Sequence, residues 1–258
     1  MSNHISELCL KGDVDAIAAY LLKVGGGDEV TDAGTKEDII RAASNRQDDE
    51  GRTVLHWALS VKASAVVAKL LEPPFSCTAA TVDQDGVTPL MTACAAGVDV
   101  QTLELIMKTI PADFTPPPTS STQDSAGGAP PQTGLVAYIN MKDHVGNSAL
   151  IAAGSRGHAA TINLLLTAGA DFKAQNKRGQ SALHRAVSRG SAEAVDALVV
   201  FAKKSQQHRP MINLQDVQGN AALHYAAMEN NQELGEVLLR SGALRELKNK
   251  EGKEFWQL

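Results

Sequence analysis

The segment SALHRAVSRG at residues 181–190 decides how this chain folds, because its first six residues recur in outline four more times. TVLHWA stands at 53–58, TPLMTA at 88–93, SALIAA at 148–153 and AALHYA at 221–226. Two residues before each copy is a glycine: Gly51, Gly86, Gly146, Gly179 and Gly219, with Gly252 as a sixth. The glycines are spaced by 35, 60, 33, 40 and 33 residues, so one unit of about 33 recurs and the longer intervals carry insertions. Four residues after each glycine stand Leu55, Leu90, Leu150, Leu183 and Leu223, and seven after stand Ala58, Ala93, Ala153, Ala186 and Ala226. Leu and Ala three apart share one face of a short helix, and the small Ala lets a neighbouring helix approach. Twenty after the glycines come Leu71, Ile106, Leu166, Val199 and Leu239, which predict a second apolar helix. In the unit of Gly146 its stripe is Ile162, Leu165 and Leu166, stopped by Gly169. Thr53, Thr88, Ser148 and Ser181 fall where a helix cap accepts backbone N–H groups, with Ala221 the exception, and Pro89 suits the first helical position. Each glycine is expected to supply a positive φ in a tight turn.

This period and these motifs resemble the ankyrin-repeat signature. The resemblance implies an all-α ankyrin-repeat solenoid: a single domain over 1–258 with about five full repeats. Lys11, Gly12 and Asp13, followed by Ile17, Tyr20 and Leu21, match the second helix of a degenerate N-terminal cap. A truncated repeat follows Gly252, where Phe255 and Trp256 are expected to cover the last helix pair. Residues 113–134, DFTPPPTSSTQDSAGGAPPQTG, carry too little apolar material to fold and predict a disordered insert. A longer connection is expected near Lys203–Arg209.

Hydrophobic residues make up 43% of the 258 and aromatics only 4%, so the core must be aliphatic and thin. A formal charge of −5 argues against nucleic acid as partner, which calls for a strongly basic patch. No stretch approaches the roughly 18 apolar residues of a membrane span, and no basic-then-apolar leader opens the chain. Cys9, Cys77 and Cys94 lack paired spacing and read as reduced thiols, so a cytoplasmic and nuclear location is expected. His56, His184 and His224 recur at one position per repeat, too far apart to hold one ion, and read as structural. No phosphate loop and no nucleophile elbow occurs. The expectation is a monomer that is not an enzyme and uses no cofactor.

Charge is unevenly placed: residues 1–129 hold 9 basic and 18 acidic side chains, residues 130–258 hold 15 and 11. Glu50, Arg52, Gln84, Asp85, Lys142, Lys177 and Arg178 fall at the turns beside the glycines, where they should project toward a protein partner of complementary polarity. The segments GRTVLHWALS (51–60), SALHRAVSRG (181–190), NLQDVQGNAALHYA (213–226) and ELKNKEGK (246–253) are similar to successive repeats of the gankyrin family, with Trp57 and Arg185 as distinguishing residues. That resemblance implies a chaperone for assembly of the 26S proteasome base, one that binds the C-terminal domain of a proteasomal AAA ATPase subunit through its concave face. It carries partner contacts onto Glu50, Arg52 and Trp57, and onto Asp83 and Asp85 around Gln84. Arg156 stands beside Ser155 where the family has a basic contact. The alternative is another ankyrin adaptor, such as a regulator of a cyclin-dependent kinase or a transcription factor.

Overall fold

The computed structural model describes residues 2–25, 35–116, 134–205 and 208–258. Among these residues there are fifteen α-helices, a closing 3-10 turn at Phe255–Gln257, and no β-strand. They group into two compact units, the first formed by residues through Thr115 with 134–138, the second chiefly by Ile139–Leu258. The first unit opens with α1 (Ser2–Lys11), α2 (Val14–Gly25) and α3 (Lys36–Ser44). Two helix pairs follow, α4 (Val54–Ser60) with α5 (Ser64–Leu71) and α6 (Pro89–Ala96) with α7 (Val100–Lys108). The short α8 (Gly134–Ile139) ends the first unit. The second unit holds three more pairs: α9 (Ala149–Arg156) with α10 (Ala159–Thr167), α11 (Ala182–Arg189) with α12 (Ala192–Lys204), and α14 (Ala222–Met228) with α15 (Gln232–Arg240). Between the last two pairs lies α13 (His208–Ile212).

The predicted Leu and Ala columns are buried in all five pairs. The third column is buried at Ile106, Leu166 and Val199 and needs a correction at Leu71 and Leu239. Leu70, Leu165, Leu198 and Leu238, nineteen residues after their glycines, are buried, while Leu71 and Leu239 are half-buried. In the pair of Gly86 the residue at twenty, Ile106, takes the core place without its neighbour at nineteen, leaving Leu105 38% exposed. The cause is one extra residue: α7 is capped by Asp99, thirteen after its glycine, whereas the second helices of the other four pairs are capped at twelve. The expected connection near Lys203–Arg209 consists of an extended α12 and the short α13; residues 206 and 207 lie outside the described residues.

The turn before each first helix is built the same way. Three residues before the glycine, Asp48 Oδ1 accepts the N–H groups of Glu50 (3.0 Å) and Arg52 (2.9 Å). Asp83, Asp143, Asn176, Asp216 and Asn249 repeat this at their own turns. Such local side-chain bonds fix a turn without help from distant contacts. Adjacent turns are then stitched by backbone bonds: Gln84 N–H to Glu50 O, Lys177 N–H to Val145 O and Val217 N–H to Arg178 O, each 3.0 Å, and Lys250 N–H to Gln218 O at 2.9 Å. Side chains four before the glycine add a second stitch, from Gln47 to Val82 O (2.6 Å), Lys142 to Gln175 O (3.0 Å), and Gln175 and Gln215 to the next such carbonyls, Gln215 O and Lys248 O (2.9 Å each). Asn45, Asn140 and Asn213, six before the glycine, each clamp the loop that leads to the next turn; Asn45 donates to Ser76 O at 3.3 Å and accepts the Thr78 N–H at 2.7 Å.

The glycine is required for space as well as for φ. At Gly179 φ is +73°, and a Cβ would stand 2.7 Å from the Val217 nitrogen and 2.8 Å from Asp216 Cα. Gly51, Gly146 and Gly219 meet the following turn's backbone at 2.7, 2.9 and 2.8 Å. The α9–α11 contact has the same character, since a Cβ on Gly154 would lie 2.7 Å from Ala182 O.

Of the predicted insert, only 113–116 and 134 belong to the described residues, so the expectation of disorder lies largely outside them. The two flanks meet: the Gly134 N–H donates to Phe114 O at 2.8 Å, and the Phe114 ring packs edge-on against Tyr138. Tyr138 is buried and its hydroxyl donates to Ala79 O at 2.5 Å.

Gly252 has the positive φ (+76°) but nothing within 4 Å of a Cβ, so it separates the two demands on glycine. Gly252→Ala should cost only the left-handed conformation, about 1–2 kcal/mol. Gly179→Ala should cost a further ~1–3 kcal/mol of overpacking. Urea unfolding of both variants checks this; equal losses would mean that close approach contributes nothing.

Candidate functional site

In the first unit, Trp57 sits on the first turn of α4, and the adjacent Asp48 turn positions Arg52 over its ring. The Arg52 guanidinium carbon lies 4.9 Å from the indole centroid, Nη1 pairs with Glu50 Oε2 at 2.8 Å, and Nε approaches Asp83 Oδ2 at 3.8 Å. The indole N–H donates to Asp48 Oδ2 at 2.9 Å. Partial burial pushes the Asp48 carboxyl up, but hydrogen bonds from the Arg52 N–H, the Trp57 indole and the Glu50 N–H, together with the Arg52 charge, outweigh it and hold it below the usual carboxylate range. Glu50, Arg52, Trp57 and Asp83 thus form one contact group. Asp83 serves that group from within: its side chain is 7% exposed, and Oδ1 is taken by the N–H groups of Asp85 and Val87. Gln84 and Asp85 are exposed at the same turn, where Gln84 Nε2 donates to Asp49 O at 2.6 Å.

In the second unit, Lys177 and Arg178 are exposed at the apex of their turn, Arg156 is exposed at the end of α9, and Arg185 is half-buried on α11. Among the described residues none of these four joins an ion pair. Tyr225 was missed in the sequence. It stands six after its glycine, as Trp57 and Arg185 do after theirs, so reading that column would have found it. Its hydroxyl donates to Asp216 Oδ2 at 2.8 Å and accepts from Gln180 Nε2 at 2.7 Å.

The three recurrent histidines are capping groups. The Thr53, Ser181 and Ala221 N–H groups donate to the Nδ1 atoms of His56, His184 and His224 at 3.2, 3.1 and 3.2 Å. A backbone N–H can only donate, so Nδ1 is unprotonated and Nε2 carries the hydrogen. Nε2 of His56 and His184 accordingly donates to Val87 O (3.3 Å) and Asn220 O (3.1 Å) of the following turn. The same ring contact forms at Ala221, which has no hydroxyl to offer. Burial lowers the pKa of all three rings below the ordinary imidazole range, against weaker opposition from backbone carbonyls. Burial also pushes the thiols of Cys9 and Cys77 up to about 11 and about 12 and raises that of Cys94, so all three stay protonated. Among the described residues no three His, Cys, Asp or Glu side chains converge as metal ligands, and no helix is long and apolar enough to cross a membrane.

Residues 149–250 match the family model for ankyrin repeats, in three copies. The fold is that of ankyrin repeats. The ankyrin repeat domain of Bcl-3, described as a unique member of the IkappaB protein family, superposes with a TM-score of 0.63 over 97% of this chain and 91% of that one, at 22% identity. A Caenorhabditis elegans homolog of the transient receptor potential cation channel subfamily A member 1 is 32% identical over 111 residues, 43% of this chain and 9% of that protein. The probable E3 ubiquitin-protein ligase XBOS32 of Oryza sativa subsp. japonica is 35% identical over 85 residues, 33% of this chain and 16% of that protein. The transcription factor MBP1 of Kluyveromyces lactis is 36% identical over 83 residues, 29% of this chain and 11% of that protein. The chain therefore matches no more than 16% of the length of these relatives. What the ankyrin repeats share is a protein-interaction scaffold.

Because the folded histidines have lowered pKa values, the unfolded chain takes up protons first as pH falls. Their contribution to stability is complete above the unfolded value of about 6.5 and is lost as pH falls through that value toward the folded ones. Calorimetry should show a melting temperature that drops between pH 7.5 and 5.5. The double variant His56→Gln/His184→Gln should melt lower at pH 7.5 and show a flatter dependence.

Proposed function

We propose that this protein is a non-enzymatic chaperone for assembly of the 26S proteasome base, holding the C-terminal domain of a proteasomal AAA ATPase subunit by steric, reversible binding. The observation that carries the reading is the Glu50–Arg52–Trp57 group, a cation held on an indole face with a carboxylate beside it. Aromatic and arginine side chains supply most interface hot spots, and here their geometry is set before any partner arrives. Its three residues stand where the resemblance to the gankyrin family puts partner contacts. Gln84 and Asp85 extend this surface in the first unit, with Asp83 acting through Arg52. In the second unit Arg156, Lys177, Arg178 and Arg185 offer unpaired positive charge to acidic groups of the partner. Binding needs no cofactor, a monomer suffices, and a cytoplasmic and nuclear location follows from the partner. A second reading, an adaptor that regulates a transcription factor, draws support from the likeness to the MBP1 segment.

Titration of the purified chain against C-terminal domains of the proteasomal ATPase subunits tests the proposal. One domain should bind, and Arg52→Glu should weaken it at least tenfold. The neutral variant Arg52→Gln should weaken binding in the same direction and move the melting temperature by no more than about 4 °C, because it removes ion-pair contacts worth about 0–1 kcal/mol without setting a second carboxylate against Asp83. Binding of none of these domains, alongside binding to a transcription-factor fragment, would transfer the function to the adaptor reading.

A further inference from the structure

Three consecutive turns of the second unit present an edge of which the reading above uses only the two cations. Val145 is 51% exposed at the apex of one turn and Val217 is 52% exposed at the apex of the turn two further on. Between them stand Lys177 and Arg178, both exposed and without an ion pair among the described residues. The order along the edge is fixed, because Lys177 donates its N–H to Val145 O and Val217 donates its own to Arg178 O, each at 3.0 Å. Each turn is held in addition by its Asp143, Asn176 or Asp216 side chain. The result is a rigid row in which an apolar side chain, two cations and a second apolar side chain follow one another.

Among the described residues no acidic side chain pairs with this row. Glu236, Glu251 and Glu254 are paired with Arg240, Lys253 and Lys248. Asp143 and Asp216 spend Oδ1 on their own turns, and Asp216 Oδ2 receives the Tyr225 hydroxyl. A branched valine has little rotamer freedom to lose when covered, and a preformed backbone adds no ordering cost. An acidic ligand lacking apolar groups would leave both valines wet, and an apolar one lacking acids would bury two unpaired cations, which is strongly unfavourable. Both requirements are met together by a segment carrying acids between two aliphatic residues.

We infer that the edge formed by Val145, Lys177, Arg178 and Val217 is a docking site for an extended acidic segment of a partner protein, with aliphatic side chains flanking its Asp or Glu residues. The inference rests on the protein-binding reading of the fold, and it adds the chemistry of the bound segment and two valines as its apolar anchors.

The probe is a displayed library of random twelve-residue peptides, selected against the full chain, with enriched peptides then titrated by fluorescence anisotropy. Enrichment of acidic sequences with flanking Leu, Ile or Val is expected. Lys177→Glu/Arg178→Glu and, separately, Val145→Ser/Val217→Ser should each weaken them at least tenfold. The serine variant keeps the carbonyl and N–H that stitch the turns, so its melting temperature should be unchanged. Arg52→Glu should leave peptide binding intact. No enrichment, enrichment of basic or uncharged peptides, acidic peptides indifferent to the serine variant, or equal affinity for a twelve-nucleotide single-stranded RNA would each overturn the inference. The proteasomal reading fails separately: loss of ATPase-domain binding with peptide binding preserved removes that reading and leaves the edge, while ATPase binding sensitive to Arg52→Glu with no peptide enriched removes the edge alone.

Discussion

Everything else in this protein depends on how closely one turn's backbone can lie against the next. At Gly51, Gly146, Gly179 and Gly219 the following turn passes within 2.7–2.9 Å of where a Cβ would stand, a separation no side chain permits. That approach brings the N–H of one turn within bonding distance of the carbonyl of its predecessor. It also sets the spacing at which the Leu and Ala columns of successive first helices close over one another. The hydrophobic contribution is spread over many small aliphatic side chains, and it is gained only if the turns repeat at a constant interval. The Asp or Asn three before each glycine holds that interval locally, so each repeat arrives with its turn already formed.

The surface inherits this regularity. Because the backbone is the same at every turn, position fixes direction: residues one and two before the glycine project at the apex, and the residue six after it faces outward from the first helix. What varies is chemistry, and the two units vary it differently. The first unit fills these positions with Glu50, Gln84, Asp85 and Trp57, the second with Val145, Lys177, Arg178, Val217 and Tyr225. A fold of this kind supplies an address for each side chain and leaves recognition to what is written there.

The fold was legible in the sequence to the extent that it rests on apolar periodicity. The Leu and Ala columns, the caps at Thr88 and Ser148 and the structural role of His56 and His184 could be read from spacing alone. The register of α7 could not, because one added residue before Asp99 moves Ile106 inward and Leu105 outward while both positions remain apolar. The polar columns were harder still. Asp48, Gln47 and Asn45 look like solvated turn residues, and only geometry reveals that each spends its polar atoms on the backbone of its own or the next turn. The same blindness affects Asp83, which reads as a contact at the surface and sits largely covered beneath Arg52. Arg52 stands out because it adjoins Gly51, whereas Trp57, six residues on from that glycine, is marked by the resemblance to the gankyrin family. Tyr225 was overlooked because no single motif marks it.

The closure at Phe114 and Gly134 has an evolutionary side. Where two flanks are joined by a backbone hydrogen bond and a buried tyrosine, the chain between them can change length at little thermodynamic expense, since closure entropy grows only with the logarithm of loop size. The repeat of Gly86 therefore contains a tolerated graft point, a place where new sequence can be tried out without putting the stack at risk.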